Sequence, residues 1–404
     1  MSARVVELLG GILPAERIGA FAGPHGHAPA PEARPASPEE ALEVLRLARG
    51  ERWRVLPLGQ GTRLAAIRPR ERVDLVLSSR NLRGITSYEP ADGTLTALAG
   101  TPWGELVAAT EGRHHLSPEL ARTDGTLGGA IAAGHSGLDR LRHGPLRHQI
   151  LGLAALHADG SRVKSGGRVV KNVTGYDLHR LWCGSEGTLC FLLEGTLRLY
   201  PAPAETVVLR LAAASPAEAV ARAHALWRAG LQPLAAVVRA ATFAGAAELA
   251  LVLAGRAEAV AHEVALVRAQ AGGVEELRAE AARAARAELC AAGTEAALLL
   301  ATRPSRLPAA LAALGTAADG LGLPLRLTLH PLLATAAVEL PGVAARDERL
   351  AELGEELART DTHLRWHGLG ARAPRPRLDP AASELMQRLK RSLDPEGLFA
   401  GGPP

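Results

Sequence analysis

The stretch Gly166-Gly167-Arg168-Val169-Val170-Lys171-Asn172-Val173-Thr174-Gly175-Tyr176-Asp177-Leu178, followed by Gly184-Ser185-Glu186-Gly187-Thr188-Leu189, decides how the rest of the chain is read. It stands against an unusual background. Of 46 Lys and Arg residues only three are lysine, at 164, 171 and 390. Asparagine occurs only at 81 and 172, and tyrosine only at 88, 176 and 200. A GC-rich coding sequence produces this bias and replaces Lys by Arg wherever chemistry permits. Yet Lys164, Lys171, Asn172 and Tyr176 fall within thirteen positions. Lysine is a compact point charge and arginine a planar fork, so the two are not equivalent at a tight site. Function or tight packing there is weighed against chance clustering.

Two further glycine-rich stretches lie upstream. Leu56-Pro57-Leu58-Gly59-Gln60-Gly61-Thr62 ends a strand expected over Arg54–Leu58. A turn of this kind aims backbone N–H groups at an anion with no Cβ in the way, and Thr62 adds a hydroxyl. It fails as a Rossmann fingerprint, because Leu64 holds the third glycine position and no acidic residue follows at the required distance. No Gly-Lys-Ser/Thr exists, so it is not a Walker loop either. Thr123 to Gly137 (TDGTLGGAIAAGHSG) is built almost wholly of small residues, which allow close backbone approach. An ordinary turn and a tight helix crossing are the alternatives for the two stretches. Two such segments about 65 residues apart are harder to dismiss together than singly.

Composition narrows the class. The chain has 404 residues, 47% hydrophobic and 22% charged, which fits two or three globular domains. A formal charge of +4 with thinly spread aromatics argues against nucleic acid. No uninterrupted apolar run is long enough for a membrane span, and the N-terminus does not read as a signal peptide, so a cytoplasmic location is expected. Cys183, Cys190 and Cys290 form no C-x-x-C, which argues against a disulfide framework, zinc or an iron–sulfur centre. No metal site is expected.

The chain divides at Pro201-Ala202-Pro203. Before it, residues 22–36 read as an irregular lead-in, and Ser37-Pro38-Glu39-Glu40 as a helix start. Strands are expected at 54–58, 73–77 and 94–99, a hairpin around Asp159-Gly160, and separate strands at 188–193 and 196–200. After it, alanine-rich helices alternate with strands, including helices at 257–271 and 274–291, which suggests helices on one face of a largely antiparallel sheet. The tail from Pro380 is a helix followed by the turn Asp394-Pro395-Glu396-Gly397.

The joined pattern K-N-V-x-G-Y-D-L and G-S-E-G-T-L resembles the FAD-binding domain of the vanillyl-alcohol oxidase or p-cresol methylhydroxylase-type family. P-x-G-x-G-T, T-L-G-G and His143-Gly144-Pro145-Leu146-Arg147 occur in matching order, with a weaker echo at Lys390 to Gly401. The wording is most similar to the FAD-binding subunits of bacterial glycolate oxidases. The resemblance implies an α+β chain: a lead-in at 1–35, a p-cresol methylhydroxylase-type FAD-binding domain of two α/β subdomains at 36–203, an α+β cap with a mainly antiparallel sheet at 204–370, and a returning segment at 371–404. It implies that Pro57, Gly59, Gln60, Gly61 and Thr62 hold the FAD pyrophosphate by backbone amides. Thr126, Gly128 and Gly129 continue along the pyrophosphate and ribityl chain, with Ser136 nearby. His143, Gly144 and Arg147 flank the flavin. Gly184, Ser185, Glu186, Gly187, Thr188 and Leu189 supply backbone groups along the cofactor, and Lys171 and Asn172 brace these loops or lie close to the flavin.

Cys190 and Phe191 depart from the family pattern, which has smaller residues there, and this bears on how tightly the cofactor fits. No histidine lies in the 57–62 loop, so the FAD is expected to be non-covalent. The H-x-G-D-G-N-x-H pattern of larger D-2-hydroxy-acid oxidising relatives is absent, and His330, His363 and His367 have other neighbours. The expected role is therefore a flavoprotein subunit oxidising glycolate or another small 2-hydroxy acid beside a larger FAD-containing catalytic subunit and an iron–sulfur subunit. A stand-alone FAD oxidase and a non-catalytic scaffold or electron relay are the alternatives. Arg140, Arg142, Arg168 and Arg239 are candidates for holding a substrate carboxylate. His114 and His115 are candidates to face the flavin.

Overall fold

The computed structural model describes residues 3–23, 26–64, 72–167, 176–293, 297–344, 347–360, 362–366 and 379–401. The helix Pro38–Gly50 starts as expected: the Glu40 N–H donates to the Ser37 hydroxyl at 3.1 Å, and Pro38 opens the first turn. Its apolar residues recur every three or four positions, so Ala41, Val44, Leu45 and Ala48 all face the core.

Residues 22–36, expected to be irregular, hold one strand, Ala30–Ala33, and the residues before them also form regular elements. Ala3–Gly10 is a helix with Val5 and Leu9 buried, and Ile18–Phe21 pairs antiparallel with Ala30–Ala33. The strand Ala30–Ala33 was hidden because APEA carries no β-branched residue. All four of its positions are buried, and Glu32 among them is paired with Arg34 at 2.7 Å. Ala30–Ala33 runs parallel to Leu75–Ser78, which in turn runs parallel to Val55–Leu58. The result is a four-stranded sheet whose last strand ends at the first glycine turn.

A second, antiparallel sheet follows. Its strand order is Ile85–Glu89, Thr94–Leu98, Phe191–Arg198, Ile150–Leu156 and Arg162–Gly166. The hairpin at Asp159-Gly160 is present, with the Asp159 carboxylate accepting from the Ser161 N–H at 2.8 Å. The two strands expected at 188–193 and 196–200 are one, Phe191–Arg198. It passes unbroken through Gly195, where a Cβ would stand 3.2 Å from the side chains of Ile131 and Leu153. That glycine marks close packing, not a break.

The cap is one eight-stranded antiparallel sheet with helices on both faces and the larger apolar core on one of them. Residues 274–291, expected to be a single helix, split into the edge strand Val274–Arg278 and the helix Ala279–Ala291. VEELR is helix-favouring by composition, but pairing with Glu205–Ala213 overrides it. The chain turns at Ala279, whose φ of 47° lies in the left-handed region.

Several links bind the cap to the N-terminal unit, among them contacts of Arg142 with the carbonyls of Ala254 and Gln232. Arg286 pairs with Glu119 at 2.6 Å, Arg365 pairs with Glu186 at 2.5 Å, and Leu138 inserts into the second apolar cluster of the cap. The helix Pro380–Leu393 then returns the chain to the first sheet. The Val55 N–H donates to the Leu398 carbonyl at 2.8 Å, and the Ala400 N–H donates to the Val55 carbonyl at 2.7 Å. Lys390 ties the turn down by donating to Thr188 O at 2.7 Å, Phe399 O at 2.9 Å and the Asp394 carboxylate at 2.5 Å. Asp394 is fully buried and also accepts the N–H groups of Leu398 and Phe399. Removing one partner of such a pair leaves an uncompensated charge inside. Asp394→Ala is expected to lower unfolding free energy by about 3–5 kcal/mol in urea denaturation. A loss below about 1 kcal/mol would show that the pair behaves like a surface ion pair.

Candidate cofactor groove

Three turns meet because side chains are missing where they touch. A Cβ on Gly59 would stand 2.2 Å from Thr126 Oγ1. One on Gly125 would stand 3.1 Å from Thr62 Oγ1, and one on Gly187 3.2 Å from Pro57 Cβ. The turns after 58, before 127 and at 184–187 thus form one wall around an open groove.

Of the residues singled out in the sequence, Pro57, Gly59, Gln60, Gly61, Thr62, Thr126, Gly128, Gly129, Glu186 and Gly187 line this groove. Gly184 sits behind it, its N–H donating to Ile131 O at 3.0 Å. Ser185 and Thr188 close the turn on one another through the Thr188 hydroxyl, 2.7 Å from Ser185 O, and Leu189 is buried in the core beneath. Ser136, His143, Gly144 and Arg147 stand outside the groove wall, with Ser136 and Arg147 exposed. Lys171, Asn172, Arg168 and His367 lie outside the described residues.

The donors are unevenly distributed. The amides of Gln60, Gly61 and Thr62 donate to no acceptor among the described residues. Those of Gly128 and Gly129, expected to reach the cofactor, are already committed. Gly128 N–H donates to Ala99 O at 2.7 Å, and Gly129 N–H to the Thr126 hydroxyl at 3.1 Å. Thr126 is the N-cap of the helix Leu127–Ala133. Gly128 is needed for clearance instead, since a Cβ there would lie 2.9 Å from that of Ala99. The second stretch is therefore a close helix crossing as well as a groove wall.

The groove also holds residues that the motifs did not point to. Arg63 follows the first turn directly, lines the groove and is half-buried. Burial, with the charges of Arg122 and Arg365, pushes its pKa down, and no carboxylate faces it among the described residues. A half-buried cation beside free amides calls for an anion. Its position straight after Thr62 was the signal for it. Trp103 and Ala99 give the groove an apolar wall, completed by the buried Cys190 and Phe191. His135 also lines it. Amides and a cation that have no partner among the described residues, with an apolar floor, fit a long ligand with a charged diphosphate middle and flat aromatic ends.

Two of the candidate carboxylate clamps, Arg142 and Arg239, are engaged elsewhere. Arg142 donates to the carbonyls of Ala254 and Gln232, and Arg239 pairs with Glu248 at 2.8 Å and Glu288 at 2.5 Å. Arg140 is half-buried, its pKa lowered by burial and by Arg147. A second cluster lies at the seam with the cap. His115 Nε2 is 2.8 Å from the Asp139 carboxylate, whose other oxygen accepts the Glu119 N–H at 2.9 Å. His143 stacks on Tyr200 with ring centroids 3.9 Å apart and lies 5.4 Å from the His115 ring. Burial lowers the His143 pKa to about 4, so it is neutral at physiological pH. Burial opposes ionisation of Asp139, but the hydrogen bonds and charge around it hold its carboxyl below the ordinary range. His114 instead meets the Tyr88 hydroxyl at 2.8 Å.

Residues 29–166 match the FAD binding domain family. The chain is 34% identical over 182 residues to D-2-hydroxyglutarate dehydrogenase of Xanthomonas citri pv. viticola, covering 45% of this chain and 39% of that one. It is 35% identical over 154 residues to glycolate oxidase subunit GlcE of Escherichia coli, covering 37% and 44%. It is 33% identical over 182 residues to D-lactate dehydrogenase of Archaeoglobus fulgidus, covering 44% and 40%. The chain thus spans about two fifths of the length of the curated relatives it matches. Among solved structures, alkyldihydroxyacetonephosphate synthase superposes with a TM-score of 0.76 at 14% identity, covering 99% of this chain and 85% of that one. That likeness extends the shared architecture over the cap. The chain therefore carries an FAD-binding domain on an α+β fold of p-cresol methylhydroxylase type, and FAD is its cofactor.

Proposed function

We propose that this chain holds FAD non-covalently in the groove and serves as a flavoprotein subunit in the oxidation of a small 2-hydroxy acid, of the glycolate type. The observation that carries the reading is the meeting of the turns at 57–62, 125–129 and 184–187 around the amides of Gln60, Gly61 and Thr62 and the cation Arg63, which have no acceptor or carboxylate partner among the described residues. Several relatives that share this half of the chain are named for dehydrogenases or oxidases of 2-hydroxy acids, two of them as glycolate oxidase subunits.

Bound FAD supplies a two-electron acceptor, the chemistry that turns a 2-hydroxy acid into a 2-oxo acid. The chain's own residues bind and shield. The amides of Gln60, Gly61 and Thr62 donate to diphosphate oxygens, and Arg63 offsets their charge. Gly59, Gly128 and Gly187 keep the wall thin enough for the backbone to reach the cofactor. Cys190 and Phe191, both buried, close the apolar side and exclude water. Burial raises the Cys190 thiol far above its ordinary pKa, so it acts as an inert packing group. The 184–189 turn runs along the cofactor through Glu186 and Gly187, the two of its residues that line the groove, whereas Ser136, His143, Gly144 and Arg147 stand outside the groove wall and are assigned no contact with it.

The partners are a larger FAD-containing subunit, which carries most of the catalysis, and an iron–sulfur subunit, since this chain has no C-x-x-C to hold a cluster. A cytoplasmic place, at a membrane only through those partners, fits a chain in which no described helix is long and apolar enough to cross one.

Purified chain is expected to show flavin absorbance that acid precipitation releases wholly into the supernatant. Flavin retained in the pellet would contradict non-covalent binding. Glycolate-dependent dye reduction should be weak for the chain alone and rise when the partner subunits are added; substantial turnover without partners would overturn the subunit role. Gly59→Ala should lower FAD affinity by about tenfold or more, an energy of about 1.4 kcal/mol. Thr126→Ala in the same chain removes the oxygen it collides with and should restore part of that loss. Arg63→Leu should weaken FAD by about tenfold while leaving riboflavin, which lacks phosphates, unchanged in a fluorescence titration. Equal losses for both ligands would remove Arg63 from the diphosphate.

A further inference from the structure

We infer that His115, Asp139 and His143 form a binding site for one divalent metal ion of the zinc class. The inference goes beyond the FAD reading and does not rest on it.

Each of the three residues offers one ligand atom, and these atoms all lie within 4.8 Å of one another. In a tetrahedral site with metal–nitrogen bonds of about 2.0–2.1 Å, neighbouring donors stand roughly 3.3 Å apart. The His115–Asp139 pair, at 2.8 Å, is already near that spacing, so modest rotation of the two imidazoles completes it. Two ring nitrogens and one carboxylate oxygen suit zinc, cobalt or nickel, whereas calcium and magnesium call for oxygen donors.

The donors are held from behind, as metal ligands generally are. Asp139 has no exposed side-chain surface, and its second oxygen is fixed by the Glu119 N–H at 2.9 Å. His115 sits in a short strand paired with Tyr200–Pro201, and the Tyr200 ring stacks on His143. The Tyr200 hydroxyl donates to Gln149 Oε1 at 2.6 Å, and the Gln149 amide donates back to His143 O. Asp139 and His143 are four positions apart across the short helix Arg140–His143, which puts them on one side. Both imidazoles remain partly exposed, so the ion keeps an open position for water or a small anion. Binding through His115 Nε2 moves the proton it shares with Asp139 to Nδ1, and the ion takes its place between the two groups.

The test is a titration of metal-stripped full-length chain with Co²⁺, read by its visible d–d absorption, and with Zn²⁺ in competition with a chromophoric chelator. One equivalent per chain is expected, with affinity falling about tenfold or more in His115→Ala and His143→Phe. His143→Phe keeps a ring on Tyr200 but removes the lone pair, so it separates ligation from packing. Circular dichroism checks that each variant is folded. Failure of wild-type chain to bind one equivalent, or equal binding by the folded His143→Phe chain, overturns the site. Flavin content is read on the same samples, so loss of FAD and loss of the ion are distinguished.

Discussion

Everything in the N-terminal unit turns on the space that Gly59 leaves for the Thr126 hydroxyl. With any side chain at 59, the end of the first parallel strand would be pushed off the cap of the helix Leu127–Ala133. The two sheets would then part at the edge where the groove lies. The same device recurs at Gly125 against Thr62 and at Gly187 against Pro57. In all these places a glycine backbone meets a side chain of the neighbouring turn, and polar backbone groups are left where a charged ligand can use them. The glycine turns bring no basic side chains of their own, so positive charge comes from Arg63 and Arg122, which also line the groove.

Around that wall, the rest of the molecule acts as bracing. Lys390 gathers Thr188, Asp394 and Phe399 into one knot directly behind the 184–187 turn. Arg365 reaches from the last strand of the cap to Glu186, which lines the groove. Arg142 pins the start of the seam to carbonyls of the cap. The turn carrying Gly187 is therefore held by the tail and by the cap together.

The glycine turns, their order along the chain and the antiparallel cap were legible because each depends on local signals: glycine where Cβ cannot fit, an N-cap serine, alternation of strands with alanine-rich helices. What escaped the reading depends on partners far away. Val274–Arg278 is a strand only because Glu205–Ala213 lies beside it, and Ala30–Ala33 only because Leu75–Ser78 does. Gly128 and Gly129 looked like phosphate donors, but whether an amide is free is decided by Ala99 and Thr126, which sequence spacing does not place. Asp139 drew no notice as a lone acidic residue between arginines and a leucine, and only its contact with His115 gives it meaning. Lys171 and Asn172, the strongest compositional signal, fall outside the described residues.

The knot at Lys390 also bears on how the polypeptide is made. The strand Val55–Leu58 emerges from the ribosome early, yet the backbone partner along its edge, Leu398 to Ala400, is translated more than three hundred residues later. Phe399, packed in the same core as Val55, arrives with it. Until then the first sheet keeps an open edge and an unfilled interior, the kind of intermediate on which chaperones act. The first sheet can thus close only after the tail that completes it has been made.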